Sequence, residues 1–279
     1  MGRVVAVVNQ KGGVGKTTTA VNLAASLAVA ERRVLLVDLD PQANASSGLG
    51  VGAQSMDQSI YAVLVEGAPA PRSKRGAGKK AADDPAARIL QLCRQTALPT
   101  LHVLPSGPDL YAAEVELSAD PDRFGRLKQA LDAVQGHYDI VLIDCPPSLG
   151  VLTLNALCAA HSVLIPMQCE YYALEGLTQL TRTLDMVRQN ANPDLAIEGV
   201  LLTMYDRRNN LARQVSEDVR RSFGKQVYVA VIPRNVRLSE APSFGKPIVL
   251  YDVSSTGCQS YMELAREFLG RLPRSEAAA

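Results

Sequence analysis

Eight residues near the amino end restrict the fold of this chain more than any others. Gln10-Lys11-Gly12-Gly13-Val14-Gly15-Lys16-Thr17 separates an apolar, β-branched run, Arg3–Asn9, from Thr17–Glu31, which is rich in alanine and leucine and holds no proline or glycine. The first stretch reads as a buried parallel strand and the second as a helix. The glycines therefore fall in a strand-to-helix turn, where backbone N–H groups can wrap a phosphate. Gly12, Gly13 and Gly15 leave room for close backbone approach. Lys16 would bridge the β- and γ-phosphates of a nucleotide, and the Thr17 hydroxyl would ligate Mg²⁺. The ordinary pattern is G-x-x-x-x-G-K-[ST]. Here Gln10 stands in place of the first glycine and Lys11 follows it. One lysine is enough to grip the phosphates, so a second at the loop entrance suggests charge aimed elsewhere, at a nucleotide held by another copy of the chain. The candidate cofactor-binding segment is Gln10, Lys11, Gly12, Gly13, Val14, Gly15, Lys16, Thr17 and Thr18.

Further strand-like runs are Arg33–Leu39, Leu101–Leu104, Asp139–Ile143, Ser162–Pro166, Gly199–Met204 and Val227–Ile232. Helical patterns, among them Arg123–Val134, Leu174–Gln189 and Leu211–Ser222, separate most of them. This alternation predicts an α/β fold: a single doubly wound, mostly parallel sheet with helices on both faces. With 279 residues, 47% of them hydrophobic, one large domain can fill its core. That domain is expected over residues 1–272, followed by a short flexible tail, 273–279. Gly67–Arg88 breaks the pattern with alanine, proline, glycine and the bunched cations Arg72, Lys74, Arg75, Lys79 and Lys80. It reads as a mobile surface loop, either a solvated insertion or a basic arm touching DNA or a partner.

Charge narrows the function classes. Lys+Arg number 29 against 28 Asp+Glu, a net charge of +1, so any nucleic-acid binding must come from a local patch. The 5 cysteines form no C-x-x-C pair, which argues against a zinc or iron–sulfur site and for core packing in a reducing cytoplasm. The chain runs straight into its first strand, so no signal peptide is expected. No apolar stretch is long enough to cross a membrane, and no membrane partner is expected.

Three further motifs fall at strand ends, where ligands of such sheets bind. Asp38-Leu39-Asp40-Pro41-Gln42 places two carboxylates one residue apart, pointing the same way on an extended chain. They could orient an attacking water and support a Mg²⁺ shell, with Asp40 better placed for the water. Ile140–Ile143 followed by Asp144 is an apolar strand ending in a carboxylate, the arrangement that holds Mg²⁺ beside a phosphate loop. Thr17, Asp40 and Asp144 are thus the candidate metal residues. Ile232-Pro233-Arg234-Asn235-Val236-Arg237 follows the last strong strand, and its Pro/Asn pair can frame an adenine ring. Arg234, Arg237 and Lys246, with Arg207 and Arg208 after the preceding strand, would form a positive surface suited to DNA phosphates. Scattered surface arginines are the alternative.

Asn9–Thr19, Val34–Gln42, Ile143–Ser148, Glu170–Gly176, Thr203–Asp206 and Ile232–Pro247 together resemble the bacterial ParA/Soj partition ATPases, in the chromosomal form without an amino-terminal helix-turn-helix domain. The resemblance covers nearly the whole chain. It implies an ATPase using ATP and Mg²⁺ that forms an ATP-sandwich homodimer and binds double-stranded DNA without sequence preference. Hydrolysis would be slow until stimulated by a ParB/Spo0J-like centromere-binding protein. The setting would be cytoplasmic and nucleoid-associated, the outcome segregation of a chromosome or plasmid. By the same resemblance, Lys11 crosses the dimer to the partner's nucleotide. Lys16 is the phosphate lysine in cis, Asp40 is needed for hydrolysis, and Lys11, Lys16 and Asp40 form the catalytic set. Pro233 and Asn235 match adenine-pocket positions. Arg208 and Arg234 match DNA-binding arginines, with Arg237 and Lys246 beside them. Gly67–Arg88 is longer and more basic than usual in that family. MinD-like positioning ATPases share the loop but use a carboxyl-terminal amphipathic helix on membranes; here Gly270 and Pro273 would interrupt such a helix.

Overall fold

The computed structural model describes residues 2–52, 55–65 and 85–272. Eight strands form one sheet: β1 Arg3–Val7, β2 Val34–Asp38, β3 Arg94–Gln95, β4 Leu101–Leu104, β5 Ile140–Asp144, β6 Ser162–Gln168, β7 Ala196–Tyr205 and β8 Val227–Pro233. Their order is β3-β4-β2-β5-β1-β6-β7-β8, parallel throughout except that the two-residue β3 runs antiparallel on the edge. Seven strands thus match the expected runs within a few residues, and β3 is an addition.

Alternation along each strand feeds two separate cores. Val4 and Ala6 of β1, Leu35 and Val37 of β2, and Val141 and Ile143 of β5 face one layer. Val5 and Val7, Val34 and Leu36, and Ile140 and Leu142 face the other. The second layer is closed by the helices Lys16–Val29 and Thr256–Arg271, which pack side by side. Burying apolar side chains on both faces of a parallel sheet requires this double cover, so the doubly wound architecture follows from the strands. From β1 the chain crosses to β2 on one side, whereas β6 lies on the other. The carboxyl end of β1 is therefore the point where connections diverge, the usual ligand crevice of such sheets.

Pro85–Arg88, expected as loop, is the first turn of a helix, Pro85–Leu92, that seats Ile89 and Leu92 in the core. Residues 67–84, with their five clustered cations, and the tail 273–279 lie outside the described residues.

The amino end of β1 is closed by a histidine. His161 accepts the Val4 N–H on Nδ1 at 2.9 Å, and its own backbone N–H donates to the Val4 carbonyl at 2.9 Å. Only the neutral ring can accept. Burial, then Arg3 and Lys128, hold its pKa below the ordinary 6.5, with Asp132 pulling the other way. A depressed folded pKa means the stabilisation is complete above about 6.5 and is lost as pH falls through the folded value. Thermal unfolding measured between about pH 7 and pH 5 should show a falling midpoint, and His161→Asn should remove part of that slope. A slope unchanged by the substitution would mean that other groups set it.

Candidate nucleotide-binding site

The loop's glycines are required by the backbone itself. Gly13 and Gly15 hold φ of 74° and 86°, the left-handed region that side chains disfavour. Gly15 immediately precedes the helix Lys16–Val29, whose first N–H groups open onto a cavity of about 770 Å³. Gly12, Gly13, Gly15, Lys16, Thr17 and Thr18 line it; Gln10, Lys11 and Val14 do not. The Val14 side chain is buried beneath the loop, and its carbonyl accepts the Thr203 hydroxyl of β7 at 2.7 Å.

The two lysines part company. Lys16 is only 6% exposed, and its Nζ donates to the Lys11 carbonyl at 3.2 Å. Burial lowers its pKa, opposed chiefly by Asp144. Lys11 lies outside the cavity, about half exposed, with its ammonium paired to Glu170 after β6.

The carboxylates also divide. Asp38 is fully buried and accepts from Ser46 N at 2.8 Å, Ser46 Oγ at 2.6 Å and Asp40 N at 3.2 Å. Burial raises its pKa to about 6 despite these bonds. These bonds make it shape the loop after β2. Asp40 does line the cavity, with Oδ1 receiving the Gln42 N–H at 3.0 Å. Asp144 lies beneath the cavity, 0% exposed, with neither carboxylate oxygen hydrogen-bonded. Burial and then the charge of Asp38 push its pKa well above the carboxylate range; the nearby Thr17 hydroxyl and Lys16 pull it back. An orphaned buried carboxylate beside a threonine hydroxyl is a donor set that fits Mg²⁺ and its waters.

Pro233 and Asn235 line the opposite wall with Met204, whose φ of 47° is left-handed. Asn235 Oδ1 caps the helix Val236–Glu240 through Leu238 N, and its amide donates to Thr256 at 2.8 Å. Its side chain thus shapes the wall with Oδ1 and one of its two amide hydrogens. Tyr111 and Glu114, on the helix Leu110–Glu116, also line the cavity, and Tyr111 bonds the Gln42 side chain. No local sequence signal marked either.

Beyond Pro233, a shallower groove of about 1120 Å³ gathers Arg207, Arg208, Arg234 and Arg266. Arg208 and Arg234 meet there as expected. Arg237 and Lys246 are exposed but lie outside its lining. Arg266 comes from the last helix, and only tertiary packing brings it in.

A glycine-hinged phosphate loop, a buried lysine, and a carboxylate at the neighbouring strand end, all on a parallel sheet, define a P-loop nucleotide-binding protein. Comparison with known proteins narrows the class. The AAA domain family matches residues 2–197. The chromosome partitioning protein ParA of Myxococcus xanthus is 56% identical over 271 residues, 97% of this chain and 89% of that protein. The sporulation initiation inhibitor protein Soj of Bacillus subtilis is 52% identical over 267 residues, 96% of this chain and 98% of its own length. A Mycobacterium smegmatis structure described as cobyrinic acid a,c-diamide synthase with bound ADP and magnesium superposes with a TM-score of 0.77, at 38% identity, over 96% of this chain and 94% of that one. The chain belongs to the ParA/Soj family of chromosome-partitioning ATPases.

Asp144→Asn tests the fit to a metal. Asparagine cannot offer the metal an anionic oxygen, so the substitution should abolish any rise in thermal midpoint on adding Mg²⁺ with nucleotide. A variant that Mg²⁺ stabilises as well as the wild type would remove Asp144 from the metal set.

Proposed function

We propose that this chain is a DNA-partitioning ATPase that works as a nucleotide-gated pair. One observation carries the reading: two lysines of a single loop are directed to different places. Lys16 is buried at the cavity, whereas Lys11 is exposed and held only by a surface carboxylate. A lysine that its own phosphate site does not use is free to serve another.

ATP occupies the cavity of each chain. Backbone N–H groups from Gly12 to Thr18 and the Lys16 ammonium hold its phosphates. Thr17 and Asp144 would hold Mg²⁺, and Asp40 would orient the attacking water. The bound Mg²⁺ would neutralise charge on the transferring phosphoryl group. Lys11 exchanges Glu170 for the phosphates of a second chain's nucleotide, which favours the homodimer. Pairing joins two arginine grooves into one surface, and phosphate contacts made together release more counterions than either groove alone. Hydrolysis removes the charge that Lys11 meets, and the pair separates. Intrinsic turnover is slow, and a ParB-like protein bound near the cargo completes the site and speeds it.

A membrane-positioning role is the weaker reading. The helix Thr256–Arg271 buries Tyr261, Leu264, Ala265 and Phe268 against the sheet, so its apolar face is already used. No helix among the described residues is long and apolar enough to cross a membrane.

Binding to unrelated DNA duplexes, followed by gel shift, should require ATP and weaken at least about tenfold between about 50 and 200 mM salt. Equal affinity in ADP would overturn the gate. Arg234→Glu should lose DNA binding by more than about tenfold while sedimenting as an ATP-dependent dimer. Loss of the dimer in that variant would make Arg234 structural instead.

A further inference from the structure

The groove offered to DNA is less positive than its arginines imply. Four arginines line it, but so do three carboxylates, Asp206, Glu263 and Glu267. Arg208, although its side chain is 90% exposed, is not free. Its Nη2 lies 3.0 Å from Asp206 Oδ2 and its Nε 3.1 Å from Asp206 Oδ1. Arg237 pairs with Glu240 at 2.9 Å and with Asp252 at 3.4 Å. Among the described residues, Arg207, Arg234 and Lys246 make no ion pair. Two of the four residues expected to grip DNA are thus already gripped.

We propose that Asp206 is a built-in counter-charge that sets how weakly a single chain binds DNA, by occupying the face of Arg208 that a phosphate would take. The inference rests on the DNA-binding reading above and deepens it. A guanidinium presents the same two-pronged donors to carboxylate and to phosphate, so Arg208 cannot serve both fully. An exposed pair of this kind is weak enough to break when a phosphate arrives. Breaking it leaves Asp206 unpaired beside the DNA backbone, and that repulsion offsets part of the attraction between Arg208 and the phosphate. Glu240 and Asp252 act the same way on Arg237. Such a discount matters for a gated protein. A groove that bound well alone would hold the unpaired, ADP-bound chain on DNA and remove the difference that nucleotide makes. A discounted groove binds usefully only when doubled.

Asp206 has a second role that the test must separate from the first. Its Oδ1 accepts the Arg208 N–H at 3.0 Å and its carbonyl accepts the Asn209 N–H at 3.1 Å, forming the turn that leads into the helix Asn210–Phe223. Asparagine keeps an acceptor at Oδ1 for the turn, and removes the charge and the Oδ2 acceptor that holds Arg208.

Duplex affinity of Asp206→Asn should therefore be measured against salt in both ADP and ATP. The expected result is binding about three- to tenfold tighter in both states, with a logarithmic salt dependence steeper by up to about one unit, as one more phosphate contact would give. Asp206→Glu, which keeps the charge, should bind close to wild type. The double substitution Glu240→Gln with Asp252→Asn, which touches no residue of that turn, should shift affinity in the same direction, and it decides the matter if Asp206→Asn loses its circular-dichroism spectrum. Unchanged or weaker binding in the folded variants overturns the proposal and makes these carboxylates positioning groups for their arginines. A wild type that binds no duplex in ATP takes down the DNA reading itself. A wild type that binds, with variants that bind no better, takes down this inference alone.

Discussion

Two carboxylates at the same level on adjacent parallel strands dominate the physics of this molecule. The register pairs Asp38 of β2 with Asp144 of β5, both 0% exposed. Buried like charges at neighbouring positions repel, and burial alone disfavours each. The chain resolves one of them. Asp38 is enclosed by the Ser46 amide and hydroxyl and the Asp40 amide, and the Ser46 hydroxyl in turn accepts the Ser106 N–H at 3.2 Å. That knot folds the loop after β2 back on itself and leaves Asp40 facing the cavity. The other carboxylate, Asp144, is left without a hydrogen bond. The protein alone therefore leaves one requirement unmet, and a divalent cation with its waters is the kind of group that meets it.

The sequence declared most of this frame because periodicity and glycine placement are local signals. Each buried parallel strand is a short β-branched run, and seven of these were legible within a few residues. The elements that escaped have a physical reason. Val151–Ala159 is buried on nearly every side, so it shows no polar face and no helical period. β3 is two residues long and exists only because β4 offers it an edge. In the site, Lys16, Thr17, Asp40 and Asp144 were legible through spacing. The contrast between Asp38 and Asp40 was not, because one residue of separation says nothing about which oxygens the fold will consume. Asn235 does line the cavity, but its second duty as a helix cap was not legible. Glu170 and Asp206 bear on the cations the sequence had marked, but their pairing is a matter of loop geometry.

The phosphate loop and the arginine groove are built on shared pieces, which bears on how one could influence the other. Thr203 of β7 holds the Val14 carbonyl from below. The same strand continues through Met204, with its left-handed backbone, to Tyr205 and the turn that carries Asp206, Arg207 and Arg208. On the other flank, Asn22 of the helix that begins at Lys16 accepts the buried Ile248 N–H at 2.7 Å, two residues beyond Lys246, and donates to the Thr18 carbonyl at 2.8 Å. Gly245 and Gly50, both at positive φ, pack so closely that a β-carbon on Gly245 would lie 2.9 Å from the Gly50 Cα. These contacts tie the segment bearing Lys246 to the loop helix and to the chain after Asp40. Proximity alone does not establish coupling; a shared element with two arrangements would. The element placed to serve is the Met204–Asn209 turn. It rests on the phosphate loop through Thr203 at one end and holds Arg208 through an exposed, weak ion pair at the other. A movement of the loop that reached this turn would have only an exposed ion pair to rearrange, and such pairs are weak.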